Sequence, residues 1–192
     1  VIPGLDIVLA SASPRRQELL RQVGVSFRVI PSQVDEQVDE PMQPGALVEH
    51  LALAKARDVA AREAGALVLG SDTIVVVDEQ VLGKPKDRAD AIAMLKQLSG
   101  RSHQVMTGVA LVTAERELVG HEVTTVRFRT LEPGEIERYV DSGEPMDKAG
   151  AYGIQGRAAA MISAIEGDYF TVVGLPLCRT VSMLSLFGVT VL

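Results

Sequence analysis

Short apolar runs with strand character, separated by segments with the 3.6-residue period of helices, predict an α/β fold with a mixed central sheet flanked by helices. Three observations carry that prediction. Ile7-Val8-Leu9-Ala10 has the length and unbroken apolar character of a buried strand, and it leads directly to a helix start at Ser13-Pro14. The run from Ala66 to Val77 is apolar except for Gly70-Ser71-Asp72-Thr73. Segments 102–113 and 119–129 alternate on either side of Glu115-Arg116-Glu117, the pattern of an antiparallel hairpin.

Each element has its own signal. Ser13 supplies an N-cap oxygen, and Pro14 suits the first helical position because its missing N–H has no intrahelical partner there. Leu19, Leu20 and Val23 carry an apolar face to Gly24, a C′ stop. Phe27-Arg28-Val29-Ile30 reads as a second strand, ended by Pro31 and followed by an acidic, polar loop from Ser32 to Pro44. Residues 46–64, rich in Ala and Leu and stopped by Gly65, form the clearest helix. Ala66-Leu67-Val68-Leu69 is a buried strand that resumes as Ile74-Val75-Val76-Val77 after the polar break. Asp87 caps a helix through Leu98, with Gly100 past its end. A helix near 133–141 precedes a glycine-rich loop through residue 156. Strands near 159–165 and 169–173 lead to a last amphipathic helix, 176–187, with Leu177, Val181 and Leu184 on one face.

The 192 residues fit a single domain over 1–192, with room for two lobes around a cleft. Hydrophobic residues make up 47% and charged residues 23%, without a biased tract, so the chain reads as globular. A net charge of −6 argues against a non-specific binder of polymeric nucleic acid, which usually carries a basic face. Cys178 is the sole cysteine, which excludes an intramolecular disulfide and paired-cysteine zinc sites, and His50, His103 and His121 have no metal-ligand spacing. With no signal-like segment and no window approaching 18 apolar residues, the expectation is a soluble, cytoplasmic protein without a membrane partner.

The candidate site begins at Ser11-Ala12-Ser13-Pro14-Arg15-Arg16. Two guanidinium groups in the first turn of a helix oppose the positive end of its dipole unless a phosphate or carboxylate docks there. Without such an anion, removing Arg16 is expected to be neutral or to stabilise by about 0.3–1 kcal/mol at low salt. Asp72 interrupts a strand run, where an ionised carboxylate is costly unless paired, hydrogen-bonded or bound to a metal. Asp35-Glu36 lies just beyond a strand end. Glu36 and Asp72 match the one or two carboxylates that a hard cation such as Mg²⁺ takes from a protein. Read alone, Asp72 also suits a turn hydrogen bond, and Asp35-Glu36 a solvated surface pair. Leu51, Lys55 and Val59 share a helix face, so Lys55 interrupts an apolar stripe, which snorkelling explains. Lys84 lies in the rigid turn Gly83-Lys84-Pro85-Lys86-Asp87, where a lysine is usually only solvated. Three glycines within seven residues from Gly150 allow close backbone approach to a ligand, and Gln155 among them has the donors and acceptor to read a base edge.

These are parts of a nucleotide-phosphate site, yet the chain has no P-loop, no Gly-x-Gly-x-x-Gly fingerprint and no nucleophile elbow. Leu9-Ala10-Ser11-Ala12-Ser13-Pro14-Arg15-Arg16, Val34-Asp35-Glu36, Lys55-Ala56, Gly70-Ser71-Asp72-Thr73, Gly83-Lys84-Pro85, the run Asp147 to Gly156, and Val173-Gly174-Leu175-Pro176 occur in this order. This ordered set, spanning about residue 7 to 187, closely resembles the Maf (septum-formation) family. The resemblance implies an inosine-triphosphatase-like (Maf/Ham1) fold with two lobes around a cleft, a homodimer, and a metal-dependent nucleoside triphosphate pyrophosphatase. Members that resemble the dTTP/UTP pyrophosphatases carry Arg, Thr and Gln at three selectivity positions, here Arg15, Thr73 and Gln155. Those resembling the 7-methyl-GTP pyrophosphatases read Ser-Pro-Trp-Arg-Arg, Ser-Asp-Gln and Ser-Glu-Gly instead.

The expected reaction is therefore hydrolysis of dTTP and UTP, with CTP and modified pyrimidine nucleotides as further candidates, to nucleoside monophosphate and pyrophosphate. Arg15, Arg16, Lys55 and Lys84 are expected to grip the phosphates and Ser11 to donate to one of their oxygens. Glu36 and Asp72 are expected to hold Mg²⁺ or Mn²⁺. The resemblance points to Asp72 as the proton acceptor for water, a role the residues alone do not separate from metal ligation. Thr73 and Gln155 are expected to face the pyrimidine. The competing readings are a 7-methyl-GTP-type enzyme and a nucleotide-sensing regulator of septum formation.

Overall fold

The computed structural model of the protein describes residues 5–38 and 40–192. The first half contains β1 (Ile7–Leu9), α1 (Pro14–Gln22), β2 (Arg28–Val29), α2 (Pro44–Ala60), β3 (Leu67–Val77), β4 (Gln80–Leu82) and α3 (Arg88–Leu98). The second half contains β5 (Ser102–Val112), β6 (Glu117–Phe128), α4 (Pro133–Asp141), β7 (Ile162–Glu166), α5 (Tyr169–Val173) and α6 (Leu177–Ser185). The strand order is β2-β1-β3-β5-β6-β7, with β4 paired to β3 off that path. β1 pairs in parallel with β2 and β3, whereas β3–β4 and β6–β7 are antiparallel, so the sheet is mixed as predicted. Among the described residues, no helix is long and apolar enough to cross a membrane.

The chain divides into two compact units. One comprises Val1–Asp72, Thr107–Glu122 and Gly174–Leu192, and the other Thr73–Met106 and Val123–Val173.

In the first unit, α2 packs almost directly on the strand backbones. A Cβ on Gly70 would lie 2.2 Å from the Ala52 carbonyl oxygen, and one on Gly108 would lie 2.2 Å from that of Val48. The core there is accordingly built from small residues, with Val8, Ala10, Ala52, Ala56, Val59, Val68 and Ala110 all buried. This corrects one expectation. Gly70-Ser71-Asp72-Thr73 is not a break between two strands; β3 runs through it, and Gly70 is there to let the helix approach. Helix α2 also ends at Ala60, before the predicted stop at Gly65.

In the second unit, α3 starts as expected, with the Asp87 carboxylate accepting the Asp90 N–H at 2.8 Å. Two elements differ from the sequence reading. Strand β4 follows a tight turn in which Asp78 and Glu79 both take positive φ, 49° and 62°. That hairpin geometry normally announces itself with Asn-Gly or Asp-Gly, which is absent here. Residues 169–173, every one of them β-branched or aromatic, form helix α5 instead of a strand. Asp168 decides this, because its carboxylate accepts both the backbone N–H and the hydroxyl of Thr171, at 2.7 and 2.8 Å.

The second unit also buries His103 edge-on against Phe128 and Tyr152. Its Nε2 lies 2.6 Å from the Tyr152 hydroxyl, and its Nδ1 has no partner. Burial, with a smaller effect from the Arg101 charge, lowers its pKa from 6.5 to about 4. The folded protein therefore holds His103 neutral, while the unfolded chain binds a proton below pH 6.5. Stability from this residue is full above that pH and is lost as the pH falls toward 4, by a total on the order of 3 kcal/mol. Urea titrations between pH 8 and 4 should show this loss, and His103→Gln should flatten it.

Candidate active site

The helix start at Ser13-Pro14 forms as predicted, with the Ser13 hydroxyl accepting the Arg16 N–H at 3.4 Å. The Ser11 side chain is buried behind it, and its oxygen accepts from Ser13 N and Arg16 Nη1, each at 3.2 Å. Arg16 Nε donates to the Gly174 carbonyl at 2.7 Å. Ser71 donates to the same carbonyl, at 3.3 Å, and to that of Gly108, at 2.9 Å. Gly174 has a φ of 132°, a conformation that favours glycine, so Val173-Gly174-Leu175-Pro176 presents a carbonyl that anchors Arg16.

This anchoring gives Arg16 a ligand-free partner that the helix-dipole expectation did not count. The side chain makes a charge-assisted bond within its own unit as well as opposing the helix dipole. Desolvation lowers the Arg16 pKa; the negative charges of Asp72 and Glu36 oppose that shift, and Arg15 reinforces it. Arg16 is thus a cation held partly out of water, with two acids nearby.

Those acids meet at Lys55. Its Nζ lies 2.6 Å from Asp72 Oδ1 and 2.9 Å from Glu36 Oε1. The Lys55 and Asp72 side chains are only 13% and 11% exposed, against 60% for Glu36. Lys55 is therefore a half-buried ion-pair residue whose ammonium is held by two acids, and the snorkelling reading is corrected. Asp72 likewise makes an ion pair in place of a turn hydrogen bond, and Glu36 is not merely a solvated surface acid. The geometry follows from the pleat. Gly70 and Asp72 share one face of β3, so the glycine that admits α2 also brings Asp72 against it.

Two carboxylates on one ammonium place two hard-oxygen donors around a single cationic position. That donor set fits a divalent ion whose remaining ligands are water and phosphate. Among the described residues, no group of three or more His, Cys, Asp or Glu could hold a metal, so a protein-only cage is not available there.

The first unit thus brings together Ser11, Arg16, Glu36, Lys55 and Asp72, with Arg15 half-buried on α1 beside Arg16. Thr73, Lys84 and Gln155 belong to the second unit. Thr73 is half-buried in β3. Lys84 is exposed in the turn before α3, and the preceding Gly83 carbonyl accepts the Gly150 N–H at 3.1 Å. That bond fastens the lysine turn to the glycine-rich loop. Gln155 is exposed in the turn at 154–156. Sequence reasoning placed Ser71 and Gly174 within motifs but gave neither a role; their signal was a polar residue inside an apolar strand and a glycine just before a helix.

The sequence profile of the Maf-like protein family matches residues 6–187, and the chain belongs to that family. Its relatives include a protein of Symbiobacterium thermophilum named dTTP/UTP pyrophosphatase, 64% identical over 95% of this chain and 94% of its own. A protein of Moorella thermoacetica with the same name is 58% identical over 96% of each chain. Among solved structures, that of the Staphylococcus aureus Ham1 protein aligns over 64% of this chain and 71% of its own, at 18% identity and a TM-score of 0.45.

Proposed function

We propose that this chain is a metal-dependent nucleoside triphosphate pyrophosphatase that hydrolyses dTTP and UTP to the monophosphate and pyrophosphate. The observation that carries the proposal is the Lys55 ammonium held between Asp72 and Glu36, with the desolvated Arg16 in the same electrostatic field. The names of the relatives supply the substrate class.

In the proposed reaction, water attacks the α-phosphorus and Asp72 takes its proton. The bond from the α-phosphorus to the oxygen bridging toward the β-phosphorus breaks, and pyrophosphate leaves with that oxygen. Asp72 is oriented by Lys55, which fixes Oδ1 and limits the carboxylate's rotation. Such a transfer places charge on the phosphoryl oxygens, so most of the catalysis is positioning and electrostatic stabilisation. Arg15, Arg16, Lys55 and Lys84 supply that charge. The Ser11 oxygen already accepts two bonds, leaving its O–H to donate to a phosphate oxygen. Glu36 and Asp72 would hold the divalent cation, Mg²⁺ or Mn²⁺, which would supply polarisation of a phosphoryl oxygen and a more acidic water. Thr73 and Gln155 read the pyrimidine. The same reading makes the protein a homodimer, on the family resemblance alone.

Pyrophosphate release from dTTP and UTP tests the proposal. Release should require Mg²⁺ or Mn²⁺, stop with a chelator, and return when the metal is restored. Absence of pyrophosphate from either substrate would refute the activity, and unchanged release in chelator would refute the metal.

A further inference from the structure

Gln155 is exposed, so packing does not fix where its amide points; the turn that carries it must. That turn is pinned at both ends by the same carboxylate. Glu144 Oε2 accepts the Arg157 N–H at 3.1 Å, and Oε1 accepts the Tyr139 hydroxyl at 2.9 Å. The Tyr139 oxygen in turn accepts the Gly153 N–H at 3.2 Å. Between these two anchors the turn closes on itself through Gly156 N to Gly153 O, at 3.1 Å, with Gln155 inside it. The fit leaves no slack. A Cβ on Gly156 would lie 2.3 Å from Glu144 Oε1, and one on Gly153 would lie 2.6 Å from Lys148 Cε. Lys148 Nζ itself donates to the Glu144 carbonyl at 2.7 Å. Just upstream, Gly150 and Ala151 take consecutive positive φ values of 70° and 60°. For Ala151 that conformation is unfavourable and persists only where surrounding contacts impose it.

We propose that Glu144, acting through Tyr139 and the backbone of residues 153–157, is a positioning residue that sets the base selectivity exercised by Gln155. The inference rests on the pyrophosphatase reading above. Glu144 suits the task because a carboxylate is acceptor-only and can serve a backbone N–H and a phenol together. Its glutamine counterpart has one oxygen, and its NH₂ would face a donor at the other position. Tyr139 is buried in α4, where desolvation first, and Glu144 among smaller effects, keeps its hydroxyl protonated and therefore able to donate.

The test uses Glu144→Gln, Glu144→Ala and Tyr139→Phe in the full chain, with two readouts. Hydrogen exchange should accelerate at both the Gly153 and the Arg157 amides in the two Glu144 variants, least in Glu144→Gln, and at the Gly153 amide in Tyr139→Phe. Kinetics should show KM for dTTP raised about tenfold, discrimination against 7-methyl-GTP reduced by a similar factor, and kcat within about threefold of wild type. If Glu144→Ala fails to fold, Glu144→Gln and Tyr139→Phe carry the test. Wild-type KM and selectivity in variants with accelerated exchange would overturn the inference, as would unchanged exchange. A fall in kcat with selectivity intact would also overturn it, because that is the signature of a merely structural role. If wild-type protein released no pyrophosphate from dTTP or UTP, the pyrophosphatase reading would fail instead, while the exchange data would still report on the anchor.

Discussion

Replacing Asp72 by Asn should lower kcat by roughly a hundred- to ten-thousand-fold, the usual contribution of a positioned general base, while the protein stays folded. The amide keeps the shape of the side chain and still accepts from Lys55 Nζ, but it cannot take a proton from water. Removing one partner of a buried ion pair commonly costs about 3–5 kcal/mol because the other charge is stranded. Here Lys55 retains Glu36 at 2.9 Å, so the penalty should be smaller, about 1–3 kcal/mol. A domain with typical stability of about 5–15 kcal/mol tolerates that loss. Single-turnover kinetics beside a thermal melt separate the two effects. Near-normal turnover in the folded variant would remove Asp72 from the mechanism, and normal turnover per folded molecule beside a markedly lowered melting temperature would make it structural.

The second large effect concerns the base. The value of kcat/KM for dTTP and UTP should exceed that for 7-methyl-GTP by roughly a hundredfold or more, since a site built to pair with one base edge rejects a base that leaves its polar groups unpaired. Gln155→Glu replaces the two amide donors with a charged acceptor and should remove most of the pyrimidine activity. Because Gln155 is exposed, the same substitution should change stability by no more than about 0.5 kcal/mol. Arg15 is a poorer probe, since it bears on substrate grip as well as on selectivity. Preference for 7-methyl-GTP in the wild-type protein would overturn the substrate assignment and leave the pyrophosphatase chemistry standing. A Gln155→Glu protein with unchanged selectivity would remove that side chain from base reading.

The strongest local signals in the sequence became elements with only small changes at their ends. Ser13-Pro14 opens α1, Asp87 caps α3, and the alternating segments form β5 and β6. The misreadings each have a physical cause. Gly70 stood at the start of what read as a polar break, yet its missing side chain serves the approach of α2. Residues 169–173 have strand propensity, but Asp168 bonds the first turn of a helix. The Asp78-Glu79 turn places two non-glycine residues at positive φ, which composition does not announce.

The site was legible as a set of residue types and less so as a set of partnerships. Lys55 was visible as a break in an apolar stripe, but not as the ammonium that joins Glu36 to Asp72, since both acids are distant in sequence. Arg16 was legible as a cation against a helix dipole, whereas its bond to the Gly174 carbonyl closes across 158 positions. Glu144 gave no signal of its own. Its role appears only when the backbone N–H of Arg157 and the hydroxyl of Tyr139 are seen to share it.

The central claim, that residues gathered around Lys55 direct water to the α-phosphorus, is tested most directly by turnover of dTTP in ¹⁸O-enriched water. The account predicts that the heavy oxygen enters the α-phosphate of dTMP and that the released pyrophosphate carries none. Label in the pyrophosphate, or release of orthophosphate with dTDP, would place the attack at another phosphorus and contradict it.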